Sequence, residues 1–75
     1  MSTRARVLTA GELGVALREF RQRRGLSQRQ LAAELGLSQR YVWELEQGKP
    51  GKLTDRLFAV FRLLGVRMTL EQADE

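Results

Sequence analysis

The stretch from position 25 to 48, GLSQRQLAAELGLSQRYVWELEQG, constrains the fold of this chain more than any other. Ser27 and Gln30 stand in the Ser-x-x-Gln relation of a capping box, so a helix is expected to start at Gln28. Leu31, Ala32 and Leu35 give that helix one apolar face. Gly36 supplies the left-handed backbone that a sharp turn between helices needs and that a Cβ resists. Ser38 caps a second helix running to about Gln47, and Gly48 ends it.

With Gln28 as the first position, Ala32 is fifth, Gly36 ninth, Val42 fifteenth and Leu45 eighteenth. A helix-turn-helix unit places a small residue, a turn glycine and two apolar anchors at these offsets. The small residue is required because helices crossing steeply over a short turn approach closely there. Such a unit can lay its second helix into the major groove of DNA. An ordinary helical hairpin in a bundle is the plainer alternative, and nothing in a hairpin requires all four offsets together.

The remaining segments read as support for this unit. Residues 1–8 form an N-terminal arm, loose unless something pins it. Thr9 and Glu12 make another capping box, so the first helix should begin near Ala10. Its core stripe is Leu13, Ala16, Leu17 and Phe20, and it ends at Gly25 after Arg21-Gln22-Arg23-Arg24. Lys49-Pro50-Gly51-Lys52 is a turn signal. Thr54 can cap a fourth helix, with Leu57, Phe58, Val60, Phe61 and Leu64 as its buried side and Gly65 as its stop. Residues 66–71 alternate apolar and polar, the mark of a half-buried strand. A lone strand leaves backbone groups unpaired. It can pair with the arm around Arg6 to Leu8 or with the same strand of a second copy, and the tail can also be disordered. The two-fold solution is preferred because it joins two reading heads and closes a small core. The expected fold is thus all-α: a compact four-helix domain over residues 9–65, then a C-terminal strand and tail over 66–75 pairing across a dimer.

Composition narrows the function. The 75 residues suffice for one domain with a small core. There is no cysteine and no histidine. Disulfides and thiolate metal sites are therefore excluded, as are the usual general base and the commonest nitrogen ligand. Neither an enzyme, nor a cofactor, nor a metal site is expected. Thirteen Lys and Arg, eleven of them Arg, face nine Asp and Glu, for a formal charge of +4. Arginine pairs bidentately with phosphate and with guanine. Eight of the cations lie between Arg18 and Lys52 against four acids, whereas the tail carries Glu71, Asp74 and Glu75. Positive charge thus surrounds the two short helices, as a phosphate-binding face requires. No apolar run approaches the roughly 18 residues of a membrane span, and the first residues lack the apolar core of a signal peptide. A cytoplasmic location is expected.

On these residues the chain resembles the Xre-type helix-turn-helix domains of phage repressors and Cro. The resemblance is carried by Leu17, Arg18 and Arg21, by Gly25-Leu26-Ser27-Gln28, Leu31-Ala32 and Gly36-Leu37-Ser38, and by Leu45-Glu46-Gln47-Gly48. Within that group it looks most like the HipB-type antitoxins, which have a single helix after the motif and a terminal strand that pairs across a dimer. The resemblance implies a homodimeric repressor of palindromic operators. It also implies a toxin–antitoxin role: neutralising a HipA-like serine/threonine kinase toxin and repressing the shared operon.

In such domains the base-reading side chains sit at the start and outer face of the third helix, here Ser38, Gln39, Arg40, Trp43 and Glu44. Helical spacing agrees, because Val42 and Leu45 point inward and the others out. Gln39 can bond adenine at two points and Arg40 guanine. Glu44 can accept from a cytosine amino group or pair with Arg40 one turn away. Trp43 can meet thymine methyls or the sugar edge, or pack on a neighbouring loop. Tyr41 can donate to phosphate or pack at a rim. Gln28 opens the second helix, where N–H groups attract phosphate; relatives use this glutamine to touch the backbone and brace the reading helix. Arg29, Gln47, Lys49 and Lys52 flank it as phosphate contacts, although a solvated face is the default for any one of them. Arg21 and Glu46 match a family ion pair tying the first helix to the third. Val66, Met68 and Leu70 are the expected dimer contacts. Two other readings are a stand-alone regulator without a toxin and a protein-interaction module with a vestigial motif; the basic face and polar reading helix speak against the latter.

Overall fold

The structure is a computed structural model that describes residues 3–49 and 51–73. The chain runs β1 (Thr3–Val7), α1 (Ala10–Arg23), α2 (Gln28–Leu35), α3 (Gln39–Glu46), α4 (Lys52–Leu64) and β2 (Met68–Gln72). Pro50 of the expected turn, and Asp74 and Glu75 of the acidic tail, lie outside the described residues.

Caps set the helix starts. Thr9 Oγ1 accepts the Glu12 N–H at 3.0 Å, while the Glu12 carboxylate accepts the N–H of Leu8 at 2.7 Å. At α2 both halves of the capping box are formed: Ser27 Oγ accepts from Gln30 N, and Gln30 Oε1 accepts from Ser27 N. Ser38 Oγ caps α3 by accepting the Tyr41 N–H at 3.0 Å. Helix α4 departs from expectation. It starts at Lys52 behind Gly51, which makes no side-chain cap bond, and Thr54 lies half-buried inside the first turn.

The turn between α2 and α3 closes as its glycine foretold. Gly36 has φ 66° and ψ 30°, and the Leu37 N–H reaches back to Ala32 O at 2.9 Å. This six-to-one bond satisfies a carbonyl that the helix end would otherwise orphan.

The largest difference concerns the two ends of the chain. Residues 3–7, expected as an arm loose unless pinned, form β1, which pairs antiparallel with β2 in the register Thr3↔Gln72, Ala5↔Leu70 and Val7↔Met68, the pairing with the arm that was the less favoured of the two solutions. The strand expected to pair across a dimer therefore finds its ladder partner within the chain. Met68 and Leu70, expected as dimer contacts, pack against the core cluster of Val7, Ala10, Ala16 and Phe58, whereas Val66 lies outside the ladder and is exposed. The cause is a matching pattern. Thr3, Ala5 and Val7 alternate with Arg4 and Arg6, so the arm has an inward apolar side of its own. An intrachain partner also avoids the translational and rotational cost of association. Gln72 closes the sheet onto α1 by donating from Nε2 to Phe20 O at 2.8 Å.

Over this sheet α4 lays Phe58, with Phe61 edge-on at 5.9 Å between ring centroids. Burying Phe58 stabilises the fold by about 1.5–3 kcal/mol. Leu57, Val60 and Leu64, expected on the buried side, are exposed instead. The surface offered by the sheet and α1, where Leu13, Met68 and Leu70 pack around Val7, Ala10 and Ala16, is covered by the two phenylalanines. The apolar face of α2 narrows in the same way: Ala32 is buried and Leu31 half-buried, but Leu35 is exposed.

Candidate nucleic-acid interface

A polar network connects α3 to the rest of the molecule. Arg21, near the end of α1, donates from Nε to Glu46 Oε2 at 2.6 Å and from Nη2 to Glu46 Oε1 at 3.0 Å. Its remaining Nη1 donates to Leu26 O at 2.7 Å, which ties in the loop before α2. Gln28, the first residue of α2, adds a bond from Nε2 to Glu46 Oε1 at 2.9 Å. Helices α1 and α2 thus converge on the carboxylate that ends α3, and Arg21 joins the loop between them to the same point. The side chains of Arg21 and Glu46 keep only 10% and 2% of their exposure, so the pair is bidentate and almost dry. The Arg21 hydrogen bonds hold the Glu46 carboxyl below its ordinary range against the opposing effect of burial, and Gln28 assists. Glu46 in turn raises the Arg21 pKa.

Close backbone contact fixes the same helix end from the other side. Helix α1 crosses the end of α3 at Gly14, where a Cβ would stand 2.5 Å from Leu45 O and 2.6 Å from Glu46 O. One turn earlier on α1, the backbone of Gly11 lies against Gly48, which follows α3 at φ 73°. Only glycine permits these approaches. Gly14 was not legible as a site residue; its signal is a glycine in the middle of a helix, which local propensity reads merely as a defect.

With α3 anchored by Val42, which is buried, and Leu45, which is half-buried, its other side is free. Gln39, Arg40 and Trp43 are exposed there together with Ser38. Trp43 keeps 44% of its surface open and is not enclosed by a loop. Gln28, Gln39, Arg40 and Trp43 line one open depression of about 420 Å³. Glu44 is half-buried and stands 3.8 Å from Arg40, the i,i+4 partner expected as its alternative role. At that distance, with the Arg40 side chain 82% exposed, the pair holds Arg40 only weakly. Ser38 uses its oxygen as a cap and keeps its hydroxyl proton to donate.

The expected phosphate contacts are distributed around this face. Arg29, Tyr41, Gln47, Lys49 and Lys52 are exposed. Gln47 turns toward the start of α1, where it shares a second depression with Thr9, Glu12, Arg18 and Glu19, so it does not join the α3 depression. Gln28 donates an amide N–H to Glu46 and so braces the network while bordering the α3 depression.

Among the described residues, no group of acidic side chains could hold a metal, and no helix is long and apolar enough to cross a membrane. Neither curated proteins nor solved structures gave a match in comparison with this chain. A family profile described as a helix-turn-helix domain matches residues 12–72, from the first turn of α1 to the end of β2. The chain belongs to the helix-turn-helix domain family.

Proposed function

We propose that this protein is a sequence-specific, duplex-DNA-binding transcriptional repressor that acts as a homodimer on palindromic operators. The observation that carries this reading is the outward polar side of α3: Ser38, Gln39, Arg40 and Trp43 lie exposed, with Glu44 half-buried beside Arg40, on a helix held by the Arg21–Glu46–Gln28 network. In the major groove Gln39 presents an amide that matches adenine N6 and N7, and Arg40 a fork that matches guanine O6 and N7. Arg29, Tyr41, Gln47, Lys49 and Lys52 supply contacts to the flanking phosphates, and the N-terminal N–H groups of α2 beside Gln28 add another. Rigidity matters here because a reading helix that rocks loses base geometry before it loses phosphate attraction.

Within this role we assign the chain as the HipB-like antitoxin of a toxin–antitoxin pair, neutralising a HipA-like serine/threonine kinase and repressing their operon. Its support is the resemblance above, together with one helix, Lys52–Leu64, followed directly by a terminal strand. Selection of bound duplexes from a random pool tests the repressor reading. A recovered palindrome is the expected result; a pool that stays random after repeated rounds overturns it. The antitoxin assignment is tested at the locus and by co-expression: a kinase-like reading frame beside this one, whose product is retained by the tagged chain, is expected. Absence of such a neighbour overturns the assignment and leaves a stand-alone regulator.

A further inference from the structure

Helix α4 has a second apolar side. Thr54, Phe58 and Phe61 face the core, but Leu53, Leu57, Val60 and Leu64 retain 81%, 49%, 49% and 68% exposure. At 3.6 residues per turn these four fall in one stripe about 60° wide. Their spacing of four, three and four is the a/d repeat of a two-helix seam. Leu63 and Val66, also exposed, border it. Together the six present on the order of 600 Å² of apolar surface, at the upper end of what a soluble monomer leaves uncovered.

We propose that a second copy of this chain covers the stripe, with α4 packed antiparallel against α4 of its partner about a two-fold axis. The stripe complements itself when reversed: Leu53 meets Leu64 across the axis, and Leu57 meets Val60. A two-fold contact demands this self-complementarity. Charge favours the same direction. A parallel pair would set Arg56, on the border of the stripe, directly beside its own copy; reversal moves the two about 7 Å apart along the axis. The area fits as well, because a standard interface buries roughly 800 Å² per partner, and this patch with a polar rim reaches that size. The inference rests on the dimeric repressor reading and changes where its two-fold contact lies, from the strand, whose ladder partner is β1, to the last helix.

Sedimentation of the full chain gives the test. At tens of micromolar the parent should sediment as a dimer, and Leu57→Gln with Leu64→Gln should halve its mass while the far-UV circular dichroism stays unchanged. Both replaced residues are exposed, and glutamine is a good helix former. A parent that is monomeric at several hundred micromolar overturns the proposal, as does a double variant that remains dimeric. The chain has no cysteine, so single thiols give an independent measure. A mixture of Leu53→Cys and Leu64→Cys chains should cross-link under oxidation, and neither should do so alone; efficient self-linking of Leu53→Cys overturns the antiparallel arrangement. Mass is read without DNA. A dimer that retains no duplex therefore sinks the repressor reading and leaves this interface standing.

Discussion

Replacing Gly14 by alanine sets two physical effects against each other. Local propensity favours alanine inside a helix by up to about 1 kcal/mol. The contact of α1 with α3 opposes it, because the new Cβ would stand 2.5 Å from Leu45 O and 2.6 Å from Glu46 O. Those separations fall short of van der Waals contact by nearly 1 Å. Both oxygens belong to backbone at a helix end, so no side-chain rotation relieves them and the two helices must part. Overpacking of this kind costs about 1–3 kcal/mol, and more where the clash is rigid. The expected net effect is a loss of about 1–2 kcal/mol, which for a domain of this size lowers the melting temperature by roughly 5–15 °C. Gly11→Ala in the same helix is the control, since its Cβ would meet only Thr9 Oγ1, at an ordinary 3.7 Å. That variant should melt at or slightly above the parent temperature. Thermal and urea unfolding followed by circular dichroism at 222 nm measure both. If Gly14→Ala raises the melting temperature as Gly11→Ala does, the tight crossing at the end of the reading helix is refuted.

Four further outcomes rest on the same structure. Glu46→Ala should cost about 3 kcal/mol in urea unfolding, because it leaves the Arg21 guanidinium almost buried without its carboxylate. The Glu46 pKa lies below its ordinary 4.5 in the folded chain, so the pair's contribution is complete above that value and is lost as pH falls through the lowered one. Glu46→Gln should accordingly flatten the fall in the urea midpoint below pH 4.5, and an unchanged slope would count against the pair as its source. Ser38→Ala removes the α3 cap and should cost about 1 kcal/mol. In DNA binding, Arg40→Ala should relax preference at one base position, whereas Lys52→Ala should weaken all duplexes alike and reduce the salt slope by about one.

The sequence was most readable where chemistry is local. Ser27 with Gln30, Ser38 and Gly36 each act on backbone within a few residues, and α2, the turn and α3 lie where those residues put them. It was least readable where the outcome depended on which partner arrived. Leu57, Val60 and Leu64 have the spacing of a buried face, and periodicity alone does not say which half of a broadly apolar helix meets the core. The arm reads as loose unless something pins it, yet Val7, the last residue of β1, is among the most buried side chains. The polar side of α3 was accessible by helical spacing from Val42 and Leu45. The share of the site that rests on backbone proximity, Gly14 against Leu45 and Glu46, was not, because a glycine gives no sign of what it lets approach.

Trp43 is the only tryptophan in the chain, and it stands half-open beside Gln39 and Arg40 on the face assigned to DNA. Its emission therefore reports on that face without a label. When a selected duplex is titrated to saturation, quenching of Trp43 by acrylamide should fall several-fold. A duplex that binds, judged by its own mobility shift, while Trp43 remains as quenchable as in the free protein would contradict docking through α3.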